Sequence, residues 1–335
     1  MGLLDRCREI KMENMSGVCC RYLIITRNIF VQHRRQDFMN TSFVSSSLSS
    51  KHIRNNSNSV IPVKLAYASY ESMMGSKNVS KQPIIIMHGL FGSKHNWNSL
   101  SKAIHQQTDR KVITVDARNH GDSPHSTEMS YKHMAKDVVQ LMNDLGFEKS
   151  ILIGHSMGGS TMMYVALHYP ELVEKLIVID ISPVRTSPQL LELKKIFHIM
   201  RTLKLTGSPS LTKARRLAED QLATVVKHLS LRQFLTMNIV EADNGHYKWR
   251  INLPVLEQNF ESKIAKFPES ENVYRGPTLF IGGANSDYIV AEDHDKIKKY
   301  FPSGQLIYIN DANHWVHADK PTEFLKITVD FINQP

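Results

Sequence analysis

The chain has 335 residues, 41% hydrophobic and 22% charged, a globular composition that excludes a wholly disordered or fibrous chain. No run of eighteen apolar residues occurs, so no membrane-spanning helix is expected. The formal net charge is +9, of which residues 1–60 carry +5; the rest is spread thinly, without the basic stripe of a nucleic-acid-binding face.

The N-terminal segment, residues 1–59, reads as separate from the rest of the chain. Between Met15 and Val60 there are six basic residues (Arg21, Arg27, Arg34, Arg35, Lys51, Arg54) and one acid, Asp37, with dense serines from Thr41 to Ser59. Arg-rich, Ser-rich and acid-poor is the composition of an organellar transit peptide, and a mitochondrial address is the expectation. Asp5, Glu9 and Glu13 near the start fit that pattern poorly, and a disordered tail is the competing reading. Without an address the protein would be cytoplasmic. Cys7, Cys19 and Cys20 all lie in this segment, so the body uses no disulfide, no cysteine nucleophile and no cysteine-ligated zinc.

From residue 60 to 335 the pattern is strand–helix alternation, read as one domain. Val63–Tyr70 is a weak first strand. Pro83–Met87, Lys111–Val115, Ser150–Gly154, Lys175–Ile181, Pro277–Ile281 and Gln305–Ile309 are short apolar runs that suit buried strands. Between them Met134, Val138, Leu141 and Leu145 repeat at helical spacing behind Ser130, a natural N-cap. Continuously apolar strands separated by helices imply a mostly parallel α/β sheet covered on both faces. Residues 185–267 break the alternation, with helical runs and no clear strand. An insertion there would lie over the sheet as a lid.

Gly154-His155-Ser156-Met157-Gly158 fits the nucleophile elbow G-x-S-x-G, with a strand before it and a helix pattern after it. A sharp strand-to-helix turn exposes the Ser156 hydroxyl at the sheet's carboxyl edge and aims a helix N-terminus at charge developing beside it. Serine needs a base, and His314, just after the last strand, is the candidate. His317 and His133 read as surface or packing residues, and His155 as pointing away from the site.

These motifs, with His88-Gly89-Leu90-Phe91-Gly92-Ser93 and Asp116-Ala117-Arg118-Asn119-His120-Gly121-Asp122-Ser123, resemble the alpha/beta-hydrolase superfamily. The combination with Asp180-Ile181-Ser182-Pro183-Val184 and Asn313-His314-Trp315-Val316-His317-Ala318-Asp319 is similar to its mitochondrial esterase branch, the alpha/beta-hydrolase domain-containing protein 11 type. The resemblance covers about residues 60–333 and is loose in the lid.

The resemblance implies an oxyanion hole, with the N–H of Met157 as one donor and that of Leu90 as the other; Phe91 is the alternative to Leu90. The acid is open between two positions. The place that usually holds it, after Pro277–Ile281, is occupied by Asn285, with Asp287 two residues late. Asp180, at the end of the neighbouring strand, is the preferred candidate and Asp287 the alternative. The loop carrying Asp116, Arg118, His120 and Asp122 reads as structural, and no spacing suggests a metal site. Asp319 completes an H-x4-D pattern with His314 but reads as the cap of a final helix, Pro321–Asn333.

The expectation is a serine hydrolase of carboxylic esters that needs no cofactor. Leu190, Leu191, Ile196, Phe197, Phe234, Leu235 and Met237 are the expected lid walls for an acyl chain. Acylglycerols and thioesters both fall in that substrate class. The alternatives are a catalytically silent binding or scaffold protein, and an acyltransferase.

Overall fold

The structure is a computed structural model that describes residues 60–72, 81–205 and 207–335. The N-terminal segment, with its expected address, lies outside the described residues. In chain order the strands are β1 Tyr67–Tyr70, β2 Ile84–Met87, β3 Val112–Val115, β4 Ser150–His155, β5 Val173–Ile179, β6 Ile239–Glu241, β7 Tyr247–Trp249, β8 Thr278–Gly283 and β9 Gly304–Ile309. The helices are α1 Asn98–Thr108, α2 Tyr131–Leu145, α3 Met157–His168, α4 Gln189–Thr202, α5 Leu211–Leu222, α6 Leu229–Thr236, α7 Leu253–Asn259, α8 His294–Ile297, α9 Val316–Asp319 and α10 Pro321–Asn333.

Seven strands form one sheet in the order β1-β3-β2-β4-β5-β8-β9. β1 runs antiparallel to β3 and every other pair is parallel. The apolar strands β2, β3 and β4 are buried along their whole length because helices cover both faces. One face packs Leu152, Leu176 and Val178 with residues of α2 and α3. The other packs Ile151, Ile153, Ile177 and Ile179 with Trp97, Ile104, Phe324 and Phe331 around α1 and α10. All seven expected strands are present, with ends shifted by a few residues.

Helix boundaries follow their chemistry. Ser130 caps α2 by accepting from the His133 N–H. Gly146 ends it at φ +68°, where any side chain would be strained.

The region between β5 and β8 is helical, as expected, but it also contains the hairpin β6–β7, which the apolar pattern does not reveal. Its strands are three residues each, too short for a clear period-2 signal. The one local signal is turn chemistry, Asp243-Asn244-Gly245 with Gly245 at φ +72°. Asp319 also departs from expectation. Its carboxylate accepts from the Asn313 N–H at 2.8 Å, closing the loop that carries His314, and α10 has no side-chain cap.

Among the described residues no helix is long and apolar enough to cross a membrane.

Candidate active site

β4 ends in the Gly154–Gly158 turn. Ser156 has φ +52° and ψ −117°, a conformation that a side chain tolerates only under constraint from its surroundings. Its N–H donates to the Ile179 carbonyl of β5 at 2.9 Å, and its carbonyl accepts from Ser160 in the first turn of α3. The close turn requires glycine on both sides. A Cβ at Gly154 would lie 2.3 Å from the Gly158 carbonyl oxygen, and one at Gly158 would lie 2.4 Å from that of Met87. Ser156 thus sits at the carboxyl end of the central strand and the N-terminus of α3. Met157 is the first helical residue, so its N–H has no intrahelical acceptor.

On the neighbouring strand, Asp180 immediately follows β5 at φ +49° and is fully buried. Its Oδ2 accepts from His314 Nδ1 at 2.7 Å, and its Oδ1 accepts from the Gly283 N–H at 2.9 Å. The Ser286 hydroxyl also donates to Oδ2. With Nδ1 donating, Nε2 of neutral His314 is the basic nitrogen. Two rings contact the imidazole: Tyr288 stacks on it at 3.7 Å between centroids and Trp315 meets it edge-on at 5.3 Å. The His314 carbonyl accepts from His155 Nε2 at 2.8 Å.

The loop after β2 is pinned at three successive peptides. The Gly89 carbonyl accepts from His88 Nδ1 at 2.7 Å and from the Gly92 N–H at 3.0 Å. A trans peptide points its N–H opposite to its carbonyl, so these bonds turn the Leu90 N–H the other way. The Phe91 N–H donates to His120 Nε2 at 3.2 Å. The Phe91 carbonyl accepts from Asn238 Nδ2 of the lid at 2.7 Å. Both histidines have their second nitrogen committed: His88 Nε2 accepts from the Ala117 N–H and His120 Nδ1 donates to the Arg118 carbonyl. Each is therefore neutral. Burial pushes the His120 imidazole down to about 3, and burial lowers His88 too.

Ser156, Met157, Leu90, Phe91 and His314 all line one cavity that opens to solvent. Its walls are mostly apolar: Leu190, Leu193 and Ile196 of α4, Leu231, Phe234 and Leu235 of α6, and Phe260 and Ile264 of a π-helical turn. Of the expected walls, Phe197 stands behind the cavity, buried against Phe91 and Phe260, and Met237 faces solvent. His155 and His317 complete the floor. His317 stacks on Trp97 at 4.3 Å, and burial, with His314 nearby, pushes it down to about 3.

Residues 82–321 match the alpha/beta hydrolase fold family. The chain belongs to that family. Its match to the sn-1-specific diacylglycerol lipase ABHD11 of Danio rerio is 45% identical over 271 residues, covering 81% of this chain and 83% of that one. The Mus musculus protein of the same description is 46% identical over 249 residues, covering 74% and 80%. Among solved structures, a marine microorganism esterase is 35% identical with a TM-score of 0.72, covering 80% of this chain and 99% of that one. The chain is an ester hydrolase of the alpha/beta fold.

In this hydrolase Ser156, His314, Leu90 and Met157 meet at one cavity, and Asp180 meets His314 beneath it. Asp287 does not meet His314 through any hydrogen bond. Its Oδ1 accepts from Ser187, the residue that leads into the lid, at 2.5 Å. Asn285 is exposed, its N–H bound to the Ala312 carbonyl. Phe91 has no free N–H to offer, because His120 takes it.

Several site residues do work that their motifs do not announce. His155 does not point away from the site: it is buried against His314 and lines the cavity. Strand alternation carries the signal: Ile151, Ile153 and His155 share a face, and that face packs the loop after β9. His317 is a buried packing residue, not a surface one. His120, in the loop expected to be structural, holds the site's own backbone. The rest of that loop does tie the sheet edge, through Lys94 to Asp116 at 2.6 Å and Arg118 to Asp137 at 2.7 Å. Ser286, Tyr288 and Asn238 carry no sequence signal of their own; only tertiary placement reveals them.

Proposed function

We propose that the hydrolase cleaves acylglycerol esters through Ser156, His314 and Asp180, with the N–H groups of Leu90 and Met157 as oxyanion donors. The observation that carries the reading is the 2.7 Å bond from His314 Nδ1 to the buried Asp180 carboxylate, beside a cavity that also holds the strained Ser156. Ser156 Oγ attacks the ester carbonyl carbon and gives its proton to His314 Nε2. The carbonyl π pair moves onto oxygen, and the oxyanion accepts from Leu90 and Met157, each donor worth about 3–4 kcal/mol in the transition state. Collapse breaks the C–O bond to the alcohol, which takes the proton from His314. Water, deprotonated by His314, then attacks the acyl-enzyme and releases the acid and free Ser156. Asp180 holds the Nδ1–H tautomer and stabilises the imidazolium without itself taking a proton.

The apolar walls favour an acyl chain, and the diacylglycerol lipase description of the 45% identical relative favours a glycerol ester. The test is fluorophosphonate labelling together with diacylglycerol hydrolysis. Wild type should label and release fatty acid, and Ser156→Ala should do neither while keeping its circular dichroism spectrum. Wild type that never labels would support a silent scaffold. Label without release to water, but with acyl transfer to an added alcohol, would support an acyltransferase. For the segment 1–59 we propose a mitochondrial address. A fluorescent fusion lacking it should be cytosolic, and an unchanged mitochondrial location would overturn the proposal.

A further inference from the structure

We propose that Asn238 is a positioning residue through which the lid sets the oxyanion hole. The proposal rests on the reading of Leu90 as an oxyanion donor. Of the three pinned peptides in the Gly89–Gly92 loop, one is held locally, by His88 and Gly92, and one from the body of the domain, by His120. The third is held from the lid. Asn238 Nδ2 donates to the Phe91 carbonyl at 2.7 Å and to the Leu235 carbonyl at 3.3 Å.

Phe91 needs that hold. Its φ is +64°, in the left-handed region that bulky side chains avoid, so the surrounding contacts must over-determine it. Asn238 is 5% exposed, and burying an amide costs free energy unless it is paired. A lid that only had to stay attached has a cheaper contact at hand, the packing of Phe197 of α4 on the Phe91 ring at 5.0 Å. The amide adds direction to that packing, because it fixes one carbonyl of the loop that presents Leu90.

Asn238 is itself held on both sides. Its N–H donates to the Leu235 carbonyl at 3.1 Å, and its carbonyl accepts from the Arg250 N–H at 2.7 Å. It joins α6, whose Leu231, Phe234 and Leu235 line the cavity, to the hairpin β6–β7. An acyl chain that seats α6 therefore seats Asn238 and, one hydrogen bond further, the loop of Leu90. Apolar binding energy is thereby spent on the reacting carbonyl.

The experiment compares wild type with Asn238→Leu, which keeps the size and removes the donor. Two ligands of equal chain length are used: a trifluoromethyl ketone, which adds Ser156 Oγ to form an oxyanion, and the corresponding carbinol, which cannot. The variant should bind the ketone at least about 10-fold more weakly and the carbinol within about twofold. Its kcat should fall by about 10- to 100-fold, below the cost of deleting an oxyanion donor outright, with KM nearly unchanged. Parallel weakening of both ligands would reduce Asn238 to cavity shape, and no weakening of either would remove its role; both overturn the proposal. If wild type itself shows no preference for the ketone, the underlying reading of Ser156 and Leu90 fails and takes the proposal with it.

Asn238→Asp guards against a leucine variant that fails to fold. The ionised carboxylate repels the Phe91 carbonyl, whereas the protonated acid donates to it. Its kcat relative to wild type should therefore rise as pH falls. A flat ratio would overturn the proposal.

Discussion

Asp180 bonds Ser286 and Asp287 bonds Ser187, but of the two only Asp180 also bonds His314, and the proposed role of triad acid follows that contact. Asp180→Asn should fold and lose about 10^4-fold in kcat, because an amide at that point favours the wrong imidazole tautomer. Asp287→Asn should alter kcat little. Single-turnover acylation with circular dichroism separates the two, and a severe loss in the Asp287 variant alone would reverse the assignment. The buried histidines supply a second expectation at this scale. His120 and His317 are held down to about 3, and His155 well below its ordinary value, burial being the main cause in each. An unfolded chain takes up these protons near pH 6.5, while in the native state His120 and His317 do not until about 3, and His155 only well below its ordinary value. The unfolded state then binds more protons across that window, so stability is full above it and is lost as pH falls through it. Urea midpoints at pH 7.5, 6 and 5 should fall in that order; a midpoint independent of pH would show that these rings are solvated.

The β4–α3 unit depends on backbones that pass within contact of each other. Gly158→Ala places a Cβ 2.4 Å from the Met87 carbonyl oxygen and 2.6 Å from that of His88. Both atoms are backbone, which leaves nothing flexible to yield. The variant should lose about 1–3 kcal/mol in urea unfolding, together with most activity, since His88 opens the loop of Leu90. Unchanged stability would mean that α3 can slide freely along β2. This unit is the part most legible in the sequence, because Gly154, Ser156 and Gly158 impose their geometry locally. The strands are legible too, since burial on both faces makes each a plain apolar run. The hairpin β6–β7 is not, because three-residue strands show no period and their pairing is set by the turn. Nor are the long-range contacts of His88 with Ala117, and of His120 and Asn238 with Phe91, whose partner atoms are backbone. Asp180 is legible only as a choice between two acids, and its 2.7 Å bond to His314 needs the folded sheet to appear.

At the scale of the whole molecule, the lid is an insertion between two strands that must pair. β5 ends at Ile179 and β8 begins at Thr278, yet the two lie side by side, with Asp180 N–H bonded to the Ile281 carbonyl. Closing so long a loop is slow, because its entropy is lost before the pairing is gained. Ser156 and, soon after it, Asp180 are synthesised before the lid, and His314 only after the lid, β8 and β9. With Ser156 as nucleophile and His314 as base, as proposed above, a chain emerging from the ribosome would carry the nucleophile long before that base. On those proposed roles, the late arrival of β8 and β9 would leave the growing chain chemically inert towards the esters around it, with competence coming only at the last docking step. In refolding, far-ultraviolet ellipticity should return well before fluorophosphonate reactivity does, and simultaneous recovery would disprove this order of events.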